Sequence, residues 1–240
     1  MNGAGHDRLA VLIDADNAQA ALAQELLSEV AKFGNATVKR AYGDWTTTNL
    51  NGWKATLHRL AIQPIQQFRY TSGKNATDSA LIIDAMDLLH GGRLDGFCIV
   101  SSDSDFTRLA TRIREAGLAV YGFGEAKTPE PFVKACDRFI LTENLRPEAQ
   151  KTSPPAKQAP VDDGLKHSLL SAIEAAAREE GWAALSSVGS QLMKTNPSFD
   201  SRTFGFSKLG ELVRAQSFLE VKEVPLGDGS PNVHIYVKAR

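Results

Sequence analysis

Apolar and polar positions along this chain follow two rhythms. Short, nearly unbroken apolar runs occur at Leu9–Ile13, Thr37–Tyr42, Ile62–Tyr70, Gly96–Ser101 and Leu118–Phe123, with a weaker one at Arg138–Leu141. Between them, over Ala18–Phe33, Leu50–Leu60, Thr77–His90, Asp105–Ala116 and Glu130–Cys136, apolar residues recur every three or four positions. The first rhythm predicts strands and the second predicts helices. Strand and helix in alternation predict an α/β fold, a parallel sheet with helices on both faces. Leu9–Ile13 and Gly96–Ser101 are almost wholly apolar, as central strands covered on both faces should be.

The pattern stops after Leu145. Arg146–Asp163 carries Pro147, Pro154, Pro155 and Pro160, no aromatic residue and no apolar period, so it reads as a semi-extended linker. Beyond it, Leu165–Glu180, Leu185–Thr195 and Lys208–Ala215 read as helices, and Phe218–Val224 and Val233–Val237 as a strand pair joined through residues 226–231. Three helices and a hairpin outline a small winged-helix-like domain. The expected organisation is therefore a first domain over 1–145, a linker over 146–163 and a second domain over 164–240.

Composition narrows the function classes. No apolar run approaches the roughly 18 residues a membrane-spanning helix requires, so no membrane partner is expected. The first residues lack a basic segment followed by an apolar one, so no secretory signal is expected either. Cys98 and Cys136, the two cysteines, form neither a zinc pattern nor a disulfide framework, and the expected location is the cytoplasm. Twenty-seven basic against 28 acidic side chains give a net charge of −1, which excludes a strongly basic nucleic-acid binder. If nucleic acid is bound, local patches or metal ions must supply the positive charge.

Candidate chemistry lies where strands end. In an open parallel sheet, ligands bind beyond the carboxyl ends of the strands, where strand order reverses. Leu9–Ile13 runs into Asp14-Ala15-Asp16-Asn17, and Gly96–Ser101 into Ser102-Asp103-Ser104-Asp105. If these two strands are neighbours, Asp14 and Asp103 approach each other. Asp78 adds to this. At about 100° per residue, Leu81, Ile82, Ala85, Met86, Leu88 and Leu89 fall within about 80° of it, so Asp78 sits inside the apolar stripe of its helix. Asp84 and Asp87 fall on the opposite side, where solvation is the simple expectation. Carboxylates that meet at a sheet mouth repel one another and invite a hard divalent cation, Mg²⁺ or Mn²⁺, with phosphodiester hydrolysis as the natural reaction.

Each of these residues has a local structural alternative. Asp103 or Asp105 can cap the helix that follows, Asn17 can cap the one after the first strand, and Asp78 can be a first-turn residue favoured by the helix dipole. Strand alternation would turn Asp16 away from the site. Lys74, in a turn-rich loop, is either an ordinary lysine or a phosphate contact. Gly122-Phe123-Gly124 lacks the third glycine of a dinucleotide fingerprint.

Three stretches, Leu12-Ile13-Asp14-Ala15-Asp16-Asn17, Gly73-Lys74-Asn75-Ala76-Thr77-Asp78 and Val100-Ser101-Ser102-Asp103-Ser104-Asp105-Phe106, closely resemble the motifs of NYN-domain proteins. These belong to the PIN-like nuclease superfamily and include a LabA-like bacterial branch. The likeness covers residues 7–145. It implies a Rossmann-like parallel sheet and metal-dependent ribonuclease chemistry that leaves a 5′-phosphate and a 3′-hydroxyl. Carried over position by position, Asp14, Asp78, Asp103 and Asp105 become the acidic metal site, with Asn17 beside it and Asp16 and Asp84 as secondary members.

Residues 164–240 resemble the OST-HTH/LOTUS domain through Gly181-Trp182-Ala183-Ala184-Leu185, Asn196-Pro197-Ser198-Phe199-Asp200 and Phe204-Gly205-Phe206-Ser207-Lys208-Leu209-Gly210-Glu211-Leu212-Val213. That resemblance implies binding of RNA, including G-rich RNA, and of protein partners. Where the family pattern has Tyr-Gly-Tyr, this chain has Phe204-Gly205-Phe206 and lacks two hydroxyls. Lys194, Arg202, Lys208 and Arg214 are the candidates for a modest basic face. Trp182, Phe199, Phe204 and Phe206 are expected in the core rather than as base-stacking platforms.

Two further readings stand beside the ribonuclease. One is a non-catalytic RNA-binding or regulatory adaptor. The other starts from Asp14-Ala15-Asp16, which resembles the D-x-D of haloacid dehalogenase phosphatases. That family wants Thr or Val two residues after the second Asp, where this chain has Ala18.

Overall fold

The computed structural model describes residues 7–68, 75–146, 163–225 and 233–240. The chain divides into two compact units, residues 1–148 and 149–240. The first holds six strands, β1 (Arg8–Asp14), β2 (Asn35–Gly43), β3 (Gln63–Gln66), β4 (Gly96–Val100), β5 (Ala119–Gly124) and β6 (Arg138–Leu141). Among the described residues, five α-helices connect them, α1 (Ala23–Val30), α2 (Asn51–Leu60), α3 (Ala76–His90), α4 (Thr107–Glu115) and α5 (Glu130–Ala135). The strands are parallel in the order β3-β2-β1-β4-β5-β6. The chain thus winds outward from β1 through β2 to β3, returns to lay β4 beside β1, and winds out the other way.

Period-2 alternation explains both cores. Leu9, Val11 and Ile13 of β1 pack into one cluster with Leu26, Val30, Trp53 and Leu57 of α1 and α2. Ala10 and Leu12 pack into the other with Leu81, Ala85, Leu109, Ile113 and Phe132 of α3, α4 and α5. Each fully buried aliphatic or aromatic side chain contributes about 1.5–3 kcal/mol. Every residue of β4 is buried, which requires the continuous apolar run seen in its sequence.

Several elements differ from the simple pattern, each for a local reason. The long helix expected over Ala18–Phe33 begins as a 3₁₀ turn at Ala20–Leu22 and becomes α-helical only at Ala23. The amides of Asn17 and Ala18 first fold back onto the Asp14 carbonyl, at 3.2 and 2.9 Å. The strand expected over Ile62–Tyr70 is the four-residue edge strand β3, which contains Pro64 and, among the described residues, pairs with β2 alone. A proline cannot donate to a second neighbour; residues 69 and 70 lie outside the described residues. Gly122 and Gly124 are packing glycines: a Cβ at Gly122 would stand 2.4 Å from Phe139 Cδ2 and 2.7 Å from Cys136 Sγ, and one at Gly124 2.6 Å from the Ser101 carbonyl oxygen.

The second unit holds α6 (Asp163–Ala176), β7 (Ala183–Ala184), α7 (Leu185–Thr195), α8 (Leu209–Arg214), β8 (Leu219–Pro225) and β9 (Val233–Ala239). Its three strands form a separate antiparallel sheet in the order β7-β9-β8. Leu165, Leu169 and Ile173 of α6 pack with Val188, Leu192, Leu212, Val213, Leu219 and Val237. The three helices and the hairpin follow the expected outline. The first helix stops at Ala176 instead of running on to Glu180, where the backbone turns left-handed (φ 64°) before Gly181 (φ 78°). Among the described residues, no helix is long and apolar enough to cross a membrane.

Candidate active site

β1 and β4 are the neighbours at which strand order reverses, and their register sets Ile13 opposite Val100. The next residue of each chain therefore stands at the mouth of the sheet: Asp14 on one side, Ser101 on the other. The Ser101 hydroxyl donates to Asp14 Oδ2 at 2.8 Å, and the Asn17 side-chain amide donates to the same oxygen at 2.7 Å. The Asp16 amide donates to Asp14 Oδ1 at 3.2 Å. Asp14 is only 1% exposed. Burial pushes its carboxyl above the ordinary value, and the Asn17 and Ser101 hydrogen bonds work against that push. Asn17 thus orients Asp14 rather than capping a helix. Both Asp14 oxygens accept hydrogen bonds from protein donors.

Ser101 also accepts from the Asp103 amide at 3.1 Å, so one hydroxyl joins the ends of β1 and β4. Asp103 in turn caps the turn Ser104–Phe106, its Oδ1 accepting from the Asp105 amide at 2.9 Å. The capping alternative for Asp103 is therefore realised, yet it leaves the carboxylate beside the site. On α3, Asp78 is half-buried in the first turn, on the edge of the face that buries Thr77, Leu81 and Ala85.

Asp78, Asp103 and Asp105 each offer a carboxylate oxygen, and the three oxygens lie within 4.8 Å of one another. Asp14 is outside this group but acts on it: burial, then the charges of Asp14, Asp103, Asp105 and Asp16, push the Asp78 carboxyl up to about 6. The exposed Asn75 amide, just before α3, donates to Asp105. A cluster of hard oxygen donors in which the neighbouring negative charges raise the proton affinity of Asp78 fits a divalent cation of the Mg²⁺ or Mn²⁺ type.

The remaining sequence candidates separate. Asp16 is exposed; its amide donates to Asp14, and its charge reaches Asp14 and Asp78. Asp84 is not a solvated surface charge and does not join the cluster. It accepts hydrogen bonds from the Arg40 guanidinium and the Tyr42 hydroxyl of β2, which fastens α3 to the sheet. Lys74 lies outside the described residues. In the second unit, Arg202 is held by Asp200 at 2.6–3.0 Å and Arg214 is paired with Glu223, so these two cations are largely engaged within the domain. Lys194 and Lys208 are exposed. Phe199 is buried and Phe204 and Phe206 pack against the core, whereas Trp182 is half-buried and outside the core cluster.

Sequence reasoning passed over Ser101 and Asn75. Ser101 carried a usable signal: as the first polar residue after an all-apolar strand, it had to stand level with Asp14. Asn75 stands in the stretch Gly73–Asp78, but no periodicity or strand end pairs it with Asp105, 30 residues away.

The model of the NYN domain family matches residues 8–143. The chain belongs to the NYN family. A second model, that of the OST-HTH/LOTUS domain, matches residues 160–231 of this NYN protein. No curated protein matches it. Among solved structures it is similar to a protein of unknown function from Vibrio parahaemolyticus, at 16% identity over 58% of this chain and 94% of that one, with a TM-score of 0.49. It is also similar to an uncharacterized protein from Nitrosomonas europaea, at 37% identity over 38% of this chain and 90% of that one, with a TM-score of 0.29. A Chromobacterium violaceum protein matches at 39% identity over 36% of this chain and 88% of its own, with a TM-score of 0.26. An NYN domain, of PIN-like nuclease kind, followed by an OST-HTH/LOTUS domain supports a nuclease with RNA binding.

Proposed function

We propose that this NYN protein is a Mg²⁺- or Mn²⁺-dependent ribonuclease whose second domain holds or selects the RNA. The observation that carries the reading is the convergence of the Asp78, Asp103 and Asp105 oxygens within 4.8 Å at the switch point of the sheet. Asp78, Asp103 and Asp105 hold the cation, with Asp14 behind them, bound directly or through water. When bound, the cation polarises the phosphoryl oxygen, lowers the pKa of the attacking water and stabilises the leaving oxygen. The chain's own part is positional. Ser101 and Asn17 fix the Asp14 carboxylate, Asp103 is held by its own turn, and the first turn of α3 presents Asp78. One of the four carboxylates accepts the proton of the attacking water. The segment between the domains tethers captured RNA and so raises its effective concentration at the acidic mouth.

The test is cleavage of end-labelled RNAs, G-rich ones included, in Mg²⁺, in Mn²⁺ and in EDTA, beside Asp103→Asn. The expected result is metal-dependent cleavage in the wild type, lowered at least about 100-fold in the variant, as the loss of one charge-stabilising group typically does, with a cooperative thermal melt no lower than that of the wild type in EDTA. RNA binding without cleavage in any metal would replace this reading with the adaptor.

A further inference from the structure

The antiparallel sheet of the second unit has one face in the core and one outside it. Leu219 and Val221 of β8, Ile235 and Val237 of β9 and Ala183 of β7 form or pack against the core. By strand alternation their neighbours point the other way. The register then assembles a row on the outer face, with Lys222 opposite Tyr236, Val224 opposite His234, and Glu220 opposite Lys238. Trp182, next to Ala183, joins the same face: Lys222 Nζ lies 5.9 Å from the centre of its ring. A side chain begun at Gly181 would touch the Lys238 stem at 3.4 Å, so Lys238 runs past the residue that precedes Trp182. His234 and Tyr236 lie with ring centres 6.5 Å apart. None of Trp182, His234 and Tyr236 belongs to the core cluster.

Rings outside a core and interleaved with lysines have the composition of a stacking platform. Every nucleobase has a π-face that an aromatic side chain can cover, and lysines beside the rings meet the phosphates. We propose that this outer sheet face, with Trp182 and Tyr236 as stacking residues and Lys222 and Lys238 as phosphate contacts, binds single-stranded RNA. The inference rests on the RNA-binding half of the proposed function and gives it a location other than the helix residues Lys194, Arg202, Lys208 and Arg214. Single strands are the fitting ligand because duplexed bases offer no face to stack on.

The experiment is fluorescence anisotropy of the full chain with a labelled 15-nucleotide single-stranded RNA, a matching duplex and a G-rich strand. EDTA throughout separates binding from cleavage. Trp182→Ala and Tyr236→Ala are expected to weaken single-strand binding by about tenfold each, and Trp182→Phe, which keeps a ring, to restore most of it. The pair Lys222→Gln and Lys238→Gln should lower the slope of log affinity against log salt by about 1.4. Lys222 is on the surface, so its variant tests the face without risk to the fold. Affinity left unchanged by the lysine pair and by Trp182→Ala, but lost in Lys194→Gln with Lys208→Gln, would overturn the proposal in favour of the helical face. An affinity for duplex equal to that for single strand would also overturn it, as would a wild-type chain that binds no RNA. Metal-dependent cleavage would survive a move of the binding face or a loss of single-strand preference, and the platform would survive an inactive acidic site, so the two failures are distinguishable; a chain that binds no RNA would remove both readings.

Discussion

Replacing Asp78 by Asn tests whether the acidic cluster is built for a cation. In the folded chain the Asp78 carboxyl moves from an ordinary 3.8 to about 6, through burial and the charges of Asp14, Asp103, Asp105 and Asp16. The folded state therefore holds this proton more tightly than the unfolded chain. Below about pH 4 both states are protonated and the carboxyl has no effect on stability. As pH rises through 4 to 6 the folded protein is progressively destabilised, and above about 6 the cost is constant. At about 1.4 kcal/mol per pH unit, the ceiling of that cost is about 3 kcal/mol. Asp78 is only half-buried, and solvent screening reduces the expected figure to about 1 kcal/mol. Asn mimics the neutral carboxyl, so Asp78→Asn should melt about 3 °C above the wild type at pH 8 in EDTA and level with it at pH 4. Saturating Mg²⁺ should raise the wild type by mass action and leave the variant behind. The assay is thermal melting of both proteins from pH 4 to pH 8, with and without metal. A variant that melts below wild type at pH 8 in EDTA, by the same margin as at pH 4, would refute the reasoning. The negative charges would then be compensated by the protein itself.

Three further outcomes follow from the same geometry. Ser101→Ala removes a donor from a buried carboxylate and should cost about 1.5–3 kcal/mol in urea unfolding. The loss should be larger at pH 8 than at pH 4, because only ionised Asp14 needs the donor. Asp84→Ala leaves the Arg40 guanidinium without its carboxylate and should cost about 1–3 kcal/mol; a loss also present in Arg40→Met with Asp84→Met would show that packing, not the ion pair, holds α3. Gly122→Ala forces a methyl group against Phe139 and Cys136 and should lower stability by at least about 1–3 kcal/mol, read from the urea midpoint.

Much of the first unit is legible in its sequence because periodicity is a local property. An all-apolar five-residue run such as Gly96–Val100 can be satisfied only in the middle of a two-sided sheet, and the helical spacing from Ala76 to His90 sets Asp78 near the face that buries Leu81 and Ala85. The placement of Asp14 beside the β4 end follows from winding order alone, since a crossover that reverses direction must bring β4 next to β1. Boundaries were less legible where side chains compete with the backbone pattern, as at Asp103, whose capping turn delays α4 to Thr107.

By itself, the sequence determined the α/β alternation, the acidic strand ends, the inward Asp78 and the change of pattern after Leu145. Only the tertiary structure decided which charges are spent and which remain. Asp84 looks solvated on a helical wheel, yet it is clamped by Arg40 and Tyr42, 44 and 42 residues away in the chain. Trp182 looks like a core residue by composition, yet pairing of Ala183 with Val237 turns it to the outer face of its sheet. The physical reason is common to both. Periodicity states which residues share a face, but the partner across that face is chosen by strand order and register, which bring distant parts of the chain together.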